Sequence, residues 1–542
     1  MVTILCYKCI CSIFLLLLFP IKTFTMKKYL LLFLLLPAAK IFSQVPEDAI
    51  RYSWYPQNGT ARTLAIGGTM GSLGGDITAA FVNPAGLGFY KTKEVVITPG
   101  YFMNKLQSNY RETNTTEKKN SFGFGPIGYI EGKVNRNDHK KSTAISIAIT
   151  QTANFNNVIR YKGLNNFSSF SEQFAEEFAK SGYFLNEVLN TESKLPYTSA
   201  LGFQTFLIDT VTIAGIQQVR AVPENILDAG FALQQELFKT TSGGLYELAV
   251  AAANNNNDKW FFGGSLGMPI VHYKSNTQFT ETDTSVNAFN GFKSFTYTDN
   301  FKTIGIGVNA KLGIIYRPQE YIRFGLAVHT PSVLFQQDEH TANLSTTLET
   351  PTGQPEPLSA SSNLFTNNQP GESKYMQFTP WKVLLSGSYV FREQENVKKQ
   401  KGFISADIEY AGHGGSSFKS DNEEPTEEEK KYYKALSKVV KNNYKGAFNF
   451  RVGGELKFNI IMARLGFGYY ANPYRDAGFK ANRMLLSGGL GYRHKGVFVD
   501  LTYVHQLSKN ADFPYRLEDR ANTYAVTKQT LGNVVATVGW KF

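Results

Sequence analysis

Two cations in consecutive segments of the chain are the clearest candidates for ligand chemistry. Lys311 and Arg323 fall on the polar side of two neighbouring segments in which apolar and polar residues alternate. Such a pair could bind the carboxylate of a ligand. The other charges on the same side are Lys382, Asp407, Glu409, Arg451, Glu455, Arg464 and Asp500. The alternative is that all of them form cross-strand ion pairs inside the protein, and the sequence leaves both interpretations open.

Residues that could support catalysis or hold a metal are scattered. The seven histidines show none of the spacings typical of zinc sites. Serine, aspartate and histidine are present, but no nucleophile-elbow sequence accompanies them. We therefore expect neither an enzyme nor a bound metal or cofactor.

The stretch Ala61–Tyr90 contains seven glycines among other small residues, with Asn-Pro-Ala at 83–85. It is not a phosphate-binding loop, because no Lys-Ser or Lys-Thr pair follows Gly71–Gly75. It is also too apolar for a flexible linker. Residues without side chains allow close backbone packing, but they cost entropy in an exposed loop. We therefore expect this stretch to be confined inside a larger enclosure.

After residue 93, apolar and polar residues alternate with a period of two, which is typical of strands. In Thr303–Tyr316 one face is apolar, and the other carries glycine, asparagine and lysine. A soluble sandwich also alternates, so the period alone does not decide the fold. A face of glycines and ions opposite an apolar face with aromatic ends favours a membrane barrel. Asn533–Phe542 alternates in the same way and resembles the final strand that outer-membrane assembly machinery reads.

Fourteen such segments can be counted, and bacterial barrels have even numbers of strands. They lie near 94–104, 121–133, 142–157, 244–253, 259–272, 303–316, 320–330, 376–392, 401–411, 446–458, 460–470, 482–493, 496–506 and 530–542. The long connections between them are 158–243, 273–302, 331–375, 412–445 and 507–529, whereas 254–258, 318–319, 459 and 494–495 are short. Long connections are extracellular in such barrels. The sequence therefore predicts an all-β transmembrane antiparallel barrel of about 14 strands, with both termini periplasmic.

The long connections also contain helix signals. Thr426 and Glu429 form a capping box ahead of an amphipathic stretch. Phe170–Phe178 has phenylalanine at every fourth position, and Pro223 is expected to begin a helix that continues to Leu237. These helices either pack together as a cap or form an apolar vestibule that captures ligands.

Residues 1–43 are expected to be a signal peptide. Met26 and the two lysines after it precede a short apolar run, with a cut expected between Ser43 and Gln44 and a true start at Met26. The alternative is a helical hairpin anchor, but both apolar runs are too short to span a bilayer. Loss of this segment removes all three cysteines, so no disulfide or cysteine nucleophile is expected. It also removes five lysines, which lowers the formal net charge from +12 to +7.

The rest of the sequence gives no sign of nucleic-acid binding or of a transmembrane helix. Its charges are scattered, and no basic patch with interleaved aromatics indicates nucleic acid. No later run of about eighteen apolar residues exists, so we expect the chain to cross a membrane only as a closed barrel.

The run GGTMGSLGGDITAAFVNPAGL at Gly67–Leu87 resembles the N-terminal hatch of the FadL/TodX family of outer-membrane transporters for long-chain fatty acids and aromatic hydrocarbons. The segments at 304–318, 448–459, 464–474 and 485–506 are also similar to that family, whereas the long loops are not. The resemblance implies a hatch over 44–93 that plugs the lumen of a 14-stranded barrel over 94–542. It also implies that the protein lies in the bacterial outer membrane.

The resemblance further implies a route for the ligand. A hydrophobic molecule is caught outside, bound in a lumenal pocket and released sideways through a kink in the third strand. Asn83, Pro84, Ala85 and Gly86 would form the hatch gate against that kink. The kink itself is expected at Asn154, Asn156 and Asn157, because asparagine is a poor strand former.

Two functions remain open. The first is passive uptake of long-chain fatty acids or similar molecules by a monomer whose partners are the ligand, outer-membrane lipid and the barrel assembly machinery. The second is a barrel of the same family that shuttles or scaffolds secreted proteins or binds surface partners. Uptake predicts an apolar pocket between hatch and wall, whereas the second function predicts a filled lumen and an unbroken third strand.

Overall fold

The computed structural model describes residues 46–181, 195–213, 216–350, 352–391, 401–476, 478 and 481–542. The signal peptide expected at 1–43 and the first two residues of the expected hatch lie outside these ranges.

Fourteen antiparallel strands form a closed barrel. Strands 1 to 14 are Lys93–Ile97 with Pro99–Tyr110, Thr113–Phe124 with Ile127–Val134, Ser142–Asn154 with Asn157–Asn165, Leu233–Asn256, Trp260–Asp283, Phe292–Gln319, Ile322–His329 with Val333–Glu349, Gly371–Phe378 with Lys382–Phe391, Gly402–Gly412 with Ser417–Ser420, Gly446–Phe458, Ile461–Tyr470, Arg483–His494, Val497–Asp512 and Ala525–Lys541. Each strand pairs with the next, and strand 14 pairs with strand 1 from Lys541 opposite Glu94 to Val526 opposite Asn109. This closure confirms the predicted fold class.

Smaller elements accompany the strands. The helices are α1 (Glu47–Arg51), α2 (Ala61–Ala65), α3 (Ala79–Val82), α4 (Phe170–Ser181), α5 (Tyr197–Gln204), α6 (Glu224–Asp228) and α7 (Glu427–Asn443). Short 3-10 helices cover Pro84–Phe89, Ser362–Phe365 and His413–Gly415. Ile208–Ile213 pairs with Ile216–Ala221 in a separate hairpin, and Pro355–Ser361 pairs with strand 7. No described helix is long and apolar enough to cross a membrane.

The two faces of the strands differ as the alternation predicts. On strand 6, Leu312 is 66% exposed on the outside, whereas its neighbour Lys311 is 5% exposed on the inside. Trp260 stacks on Tyr316 at the periplasmic end of the outer face, in the position of an aromatic girdle. A closed ladder with an apolar outer belt satisfies every requirement for crossing a bilayer, and in bacteria such barrels lie in the outer membrane.

The strands on the extracellular side are longer than predicted. Strand 6 has 28 residues, and the connection expected over 273–302 shortens to residues 284–291. The added part of strand 6 carries threonine and asparagine on its outer face. Apolar and polar residues therefore no longer alternate there, although the strand pairing continues. The alternation therefore marks the membrane-facing part of each strand rather than its full length.

The extracellular helices form a packed cap. The capping box at Thr426 and Glu429 is present, as predicted. Helix α4 buries Phe170 and Phe174 in an apolar cluster with α5 and the upper ends of strands 4 to 6. The helix expected from Pro223 to Leu237 is wrong beyond Asp228, because the positive φ of Gly230 ends it and strand 4 then begins. These contacts favour the packing interpretation of the loop helices.

Candidate functional site

Residues 46–92, which we call the inner segment, contact the inner faces of strands around the circumference of the barrel. The amide of Ala61 donates to Thr537 Oγ1 of strand 14 at 2.7 Å, and Thr502 Oγ1 of strand 13 donates to the Ala61 carbonyl at 2.6 Å. On the other side of the barrel, Ser142 Oγ of strand 3 donates to the Gly88 carbonyl at 3.1 Å. Side chains of the wall therefore hold the inner segment by hydrogen bonds to its backbone amides and carbonyls.

Glycines allow this segment and the wall to touch backbone to backbone. Gly67 has φ +72°, and a Cβ atom there would lie 2.6 Å from the carbonyl oxygen of Phe467. A Cβ at Gly466 of the wall would in turn lie 2.0 Å from the Gly67 nitrogen. No side chain fits between the backbone of the inner segment and that of the wall at this point, which explains why the inner face of the strands is rich in glycine.

A buried carboxylate of the wall binds the glycine-rich turn of the inner segment. Asp407 Oδ2 accepts from the amides of Met70 at 3.1 Å and Gly71 at 3.3 Å. Asp407 Oδ1 accepts from Ser386 Oγ at 2.6 Å, and Arg451 lies 3.6 Å from the carboxylate. Successive amides that point at one anion are a favourable arrangement, and Asp407 is buried. Asp407 was expected to form ion pairs inside the barrel, whereas its bonds to the Met70 and Gly71 amides were not predicted.

Asn83 and Ala85 lie against strands 5 and 6, not against the break in the third strand. A Cβ at Gly313 would lie 1.8 Å from Asn83 Oδ1, and a Cβ at Gly263 would lie 2.3 Å from the Ala85 nitrogen. The expected contact of residues 83–85 with a third-strand kink is therefore wrong. The glycines of strands 5 and 6 provide the space that a turn pressed against a wall needs, and the third strand has no glycine between Ser142 and Asn157.

The Asn-Pro-Ala turn is fixed mainly within the inner segment. Asn83 Nδ2 donates to the Gly71 carbonyl, and Asn83 Oδ1 accepts from the Ala85 amide at 3.1 Å. Pro84 begins the 3-10 helix that follows, and the Gly86 carbonyl accepts from the Gly75 amide at 3.1 Å. Whether these residues act as a gate stays a prediction.

The third strand is interrupted where its asparagines lie. Its register with strand 4 shifts between Gln151 and Ala153, and the strand stops at Asn154 and resumes at Asn157. Asn154 Oδ1 accepts from the Asn156 amide at 2.9 Å, which closes a local turn. Asn157 Oδ1 accepts from Asn104 Nδ2 at 2.8 Å. The sequence-predicted asparagines thus surround a break in the strand.

Strands 2 and 3 separate above this break. Below it, Ile127–Val134 pairs with Ser142–Ile149. Above it, no backbone ladder joins the described residues of Thr113–Phe124 to those of Asn157–Asn165. Side chains bridge the interval instead, including Asn154 Nδ2 to Ser121 Oγ at 3.1 Å. The wall is therefore held here by side chains alone.

Asn58 of the inner segment closes the lower corner of this separation. Its Nδ2 donates to the carbonyls of Gln151 at 2.6 Å and Phe124 at 3.1 Å, the last residues before the strands part. Tyr52 packs edge-on against Phe155 with ring centroids 5.8 Å apart. Asn58 occupies the place that was expected for Asn83. Sequence analysis missed it, because a lone asparagine carries no signal of its partner.

A cavity of about 420 Å³ lies between the inner segment and the wall. Its lining is mixed: Ile50, Trp54 and Leu485 are apolar, whereas the residues of the strand break, 151–157, form one side of it and are mostly polar. The expected pocket is thus present but is not purely apolar. A second cavity of about 650 Å³ lies toward the extracellular side and includes Arg475. Glu47, Arg51 and Lys239 line both cavities, so the two are adjacent.

The two cations predicted to bind a ligand carboxylate lie apart. Lys311 is opposite His329 in the ladder, so Arg323 is displaced by six residues, roughly 20 Å along the strands. Lys311 forms an ion pair with buried Glu247, and Arg323 donates to the Leu73 carbonyl at 2.9 Å. With these side-chain positions one carboxylate does not reach both. Carboxylate binding by Lys311 or Arg323 alone stays a prediction, and their partners favour a structural role.

Other lumenal charges are also paired. Arg464 contacts Glu455 and Asp500, each at 2.6 Å, and Arg451 contacts Glu409 at 3.2 Å. Within the described ranges no group of three or more histidine, cysteine, aspartate or glutamate side chains could hold a metal ion. These networks fix the inner face of the wall around the inner segment.

No protein-family model matches the chain, and no curated protein matches it. Among solved structures, it is similar to a FadL homologue of Pseudomonas aeruginosa, at 12% identity over 90% of this chain and 99% of that one, with a TM-score of 0.48. It is also similar to the Pseudomonas putida toluene transporter TodX (14% identity, 90% and 99% covered, TM-score 0.48) and the Ralstonia pickettii toluene transporter TbuX (13%, 90% and 100%, 0.45).

Proposed function

We propose that this protein lets hydrophobic small molecules, such as long-chain fatty acids, cross the outer membrane passively. One observation carries the proposal: the cavity of about 420 Å³ ends at the break in the third strand, where the wall has no backbone ladder. A barrel of this width cannot fill its lumen with strand side chains, so the inner segment serves as the seal. A molecule in the cavity then leaves through the side of the barrel.

Lateral exit suits an apolar ligand. A hydrocarbon chain gains nothing by entering periplasmic water, whereas a side exit keeps it in contact with lipid. Phe122, on the strand beside the separation, is 83% exposed on the outer face, so the expected exit borders the apolar belt. Unpaired backbone groups are costly there, and Asn58 donates to the carbonyls of Phe124 and Gln151 at this point. The side chain of Asn154 donates to that of Ser121 across the separation. These bonds hold the exit closed at rest without a ladder.

The cavities supply the rest of the route. The extracellular cavity, bordered by Arg475 and Arg516, receives an amphiphile at its charged end. The inner cavity takes the apolar chain against Trp54 and Leu485. The secretion or scaffold function predicted a filled lumen and an unbroken third strand, so the cavity and the break both favour transport.

A reversible disulfide across the separation tests the proposal. In a chain that begins at Met26 and contains no other cysteine, Ser121→Cys with Asn154→Cys places two thiols where the native side chains are 3.1 Å apart. Oxidation should tie the strands together and reduce uptake of radiolabelled oleate at least tenfold by cells expressing the protein, and a reductant should restore it. Toluene uptake is measured in parallel to separate the two ligand classes.

The matched control is Lys133→Cys with Thr143→Cys, which crosses the same two strands where they are already paired. This disulfide should leave uptake unchanged. If the Ser121–Asn154 disulfide forms and uptake of both probes persists, lateral release at this position is refuted.

A further inference from the structure

Four lysines form a continuous patch on the outer face of strands 13, 14, 1 and 2. Lys509 is directly opposite Lys528 in the ladder, and Lys105 is directly opposite Lys118. Lys528 pairs with Gln107, two residues from Lys105, so the two pairs are diagonal neighbours. All four side chains are exposed. We call these four residues the lysine patch.

This arrangement is unfavourable in the isolated protein. Like charges directly opposite each other on one face of an antiparallel pair destabilise it. Within the described residues, no carboxylate forms an ion pair with any lysine of the patch. The nearby Glu117 points to the other side of strand 2 and contacts Arg160 instead. An anion from outside the chain is the partner that would remove the repulsion.

The height of the patch identifies the kind of anion. Along their strands, Lys105 lies two residues beyond outward-facing Met103, and Lys509 lies two residues beyond outward-facing Leu507. Two residues are about 7 Å along a strand, which puts the amines at the extracellular edge of the apolar belt. The long lysine stems reach along the apolar surface while the charges stay in the headgroup layer.

We propose that the lysine patch binds the phosphate groups of a lipid in the outer leaflet. Strand spacing of about 4.8 Å spreads the four amines over roughly 15 Å, wide enough for two phosphate groups. Each ammonium donates to a phosphate oxygen, and the acyl chains lie on Met103, Leu507 and Phe122 below. The patch ends on strand 2, whose other edge forms the separation from strand 3, so the bound lipid sits beside the proposed exit. The site itself does not depend on transport.

Lipid binding to the folded full-length protein in maltoside detergent tests this proposal. The probes are bisphosphorylated lipid A, the same lipid with both phosphates removed, and inorganic phosphate, each read out by native mass spectrometry and by thermal unfolding. The variants are Lys105→Gln with Lys528→Gln, and all four lysines changed to glutamine. Lysines near a charged lipid surface contribute on the order of fivefold each, so the double variant should bind lipid A roughly 25-fold more weakly.

The sign of the stability change provides a second readout. Without lipid, the four-glutamine variant should unfold at the same temperature as the native chain or higher, because the repulsion is gone. With lipid A, the native chain should gain stability and the variant should not. The control is Lys434→Gln with Lys438→Gln on exposed positions of α7, which removes the same charge as the double variant and should change neither readout.

Three outcomes overturn the proposal. One is equal binding of lipid A by the native chain and the four-glutamine variant. Another is an equal loss in the α7 control, which would indicate net charge alone. The third is equal protection by inorganic phosphate or by dephosphorylated lipid A, which would mean that a free anion or the acyl chains alone account for the effect.

Discussion

Replacement of Asp407 by asparagine should loosen the inner segment while leaving the barrel closed. The carboxylate accepts from two successive amides, those of Met70 and Gly71, and from Ser386. An asparagine keeps the shape but has one oxygen in place of two, and its amide group would face either the Met70 and Gly71 amides or the wall. The two backbone donors then lose a charged acceptor in a buried site.

The size of the effect follows from these bonds. A hydrogen bond to a charged group contributes about 1.5–3 kcal/mol, and the two amide bonds are long for their type. We therefore expect a loss of about 3 kcal/mol for the seated inner segment. At about 1.4 kcal/mol per tenfold, this raises the fraction of barrels with a displaced segment by roughly 100-fold.

Single-channel conductance in planar bilayers measures this displacement directly. The native barrel should be nearly silent to small ions, and Asp407→Asn should show frequent openings. Glu247→Gln is the control, because it breaks the buried ion pair with Lys311 without touching a backbone amide of the inner segment. If Asp407→Asn remains silent, or if Glu247→Gln opens equally often, the carboxylate does not hold the seal.

Two further outcomes are expected. Gly313→Ala places a Cβ 1.8 Å from Asn83 Oδ1 and should lower the free energy of unfolding in urea by more than about 2 kcal/mol, whereas Gly387→Ala, with no atom within 4 Å, should be neutral. Burial raises the pKa of Glu172 in α4 to about 7, against the opposing effect of the Ser169 amide. A raised folded-state pKa favours folding below the unfolded value, so the cap should lose stability as the pH rises from about 4.5 to about 7. Limited proteolysis of the cap should show this loss, and it should be smaller in Glu172→Gln but not absent, because the buried carboxyl of Glu281, which accepts from Ser169 and Phe170, lies in the same cap.

The fold could be predicted well because one physical pattern repeats along the chain. Each membrane-facing strand must alternate, so residues such as Leu312 and Lys311 reveal their sides without any knowledge of their partners. The extracellular halves of the strands face water on one side and the packed cap on the other. Their polar outer residues, such as Asn300, interrupt the alternation of apolar and polar residues, so the sequence predicts loops there.

The site could be predicted only in part, because its contacts join residues far apart in sequence. The asparagines at 154, 156 and 157 predict the strand break, because asparagine has a low propensity for strands. Asn58 gave no such signal, since its partners Phe124 and Gln151 are defined only after the strands have paired. For the same reason, the position of Asn83 against Gly313 could not be read from either residue alone.

The pairing of strand 1 with strand 14 has a consequence for how the protein assembles. Lys93 and Phe542 exchange both of their backbone hydrogen bonds, at 3.1 and 3.0 Å, although they stand at opposite ends of the barrel sequence. Contacts at such sequence separation form slowly and late. The residues that surround Ala61 include Thr537, so the niche for the inner segment does not exist until this ring-closing step. During assembly, the inner segment therefore cannot take its final position until the last hairpin has paired with strand 1.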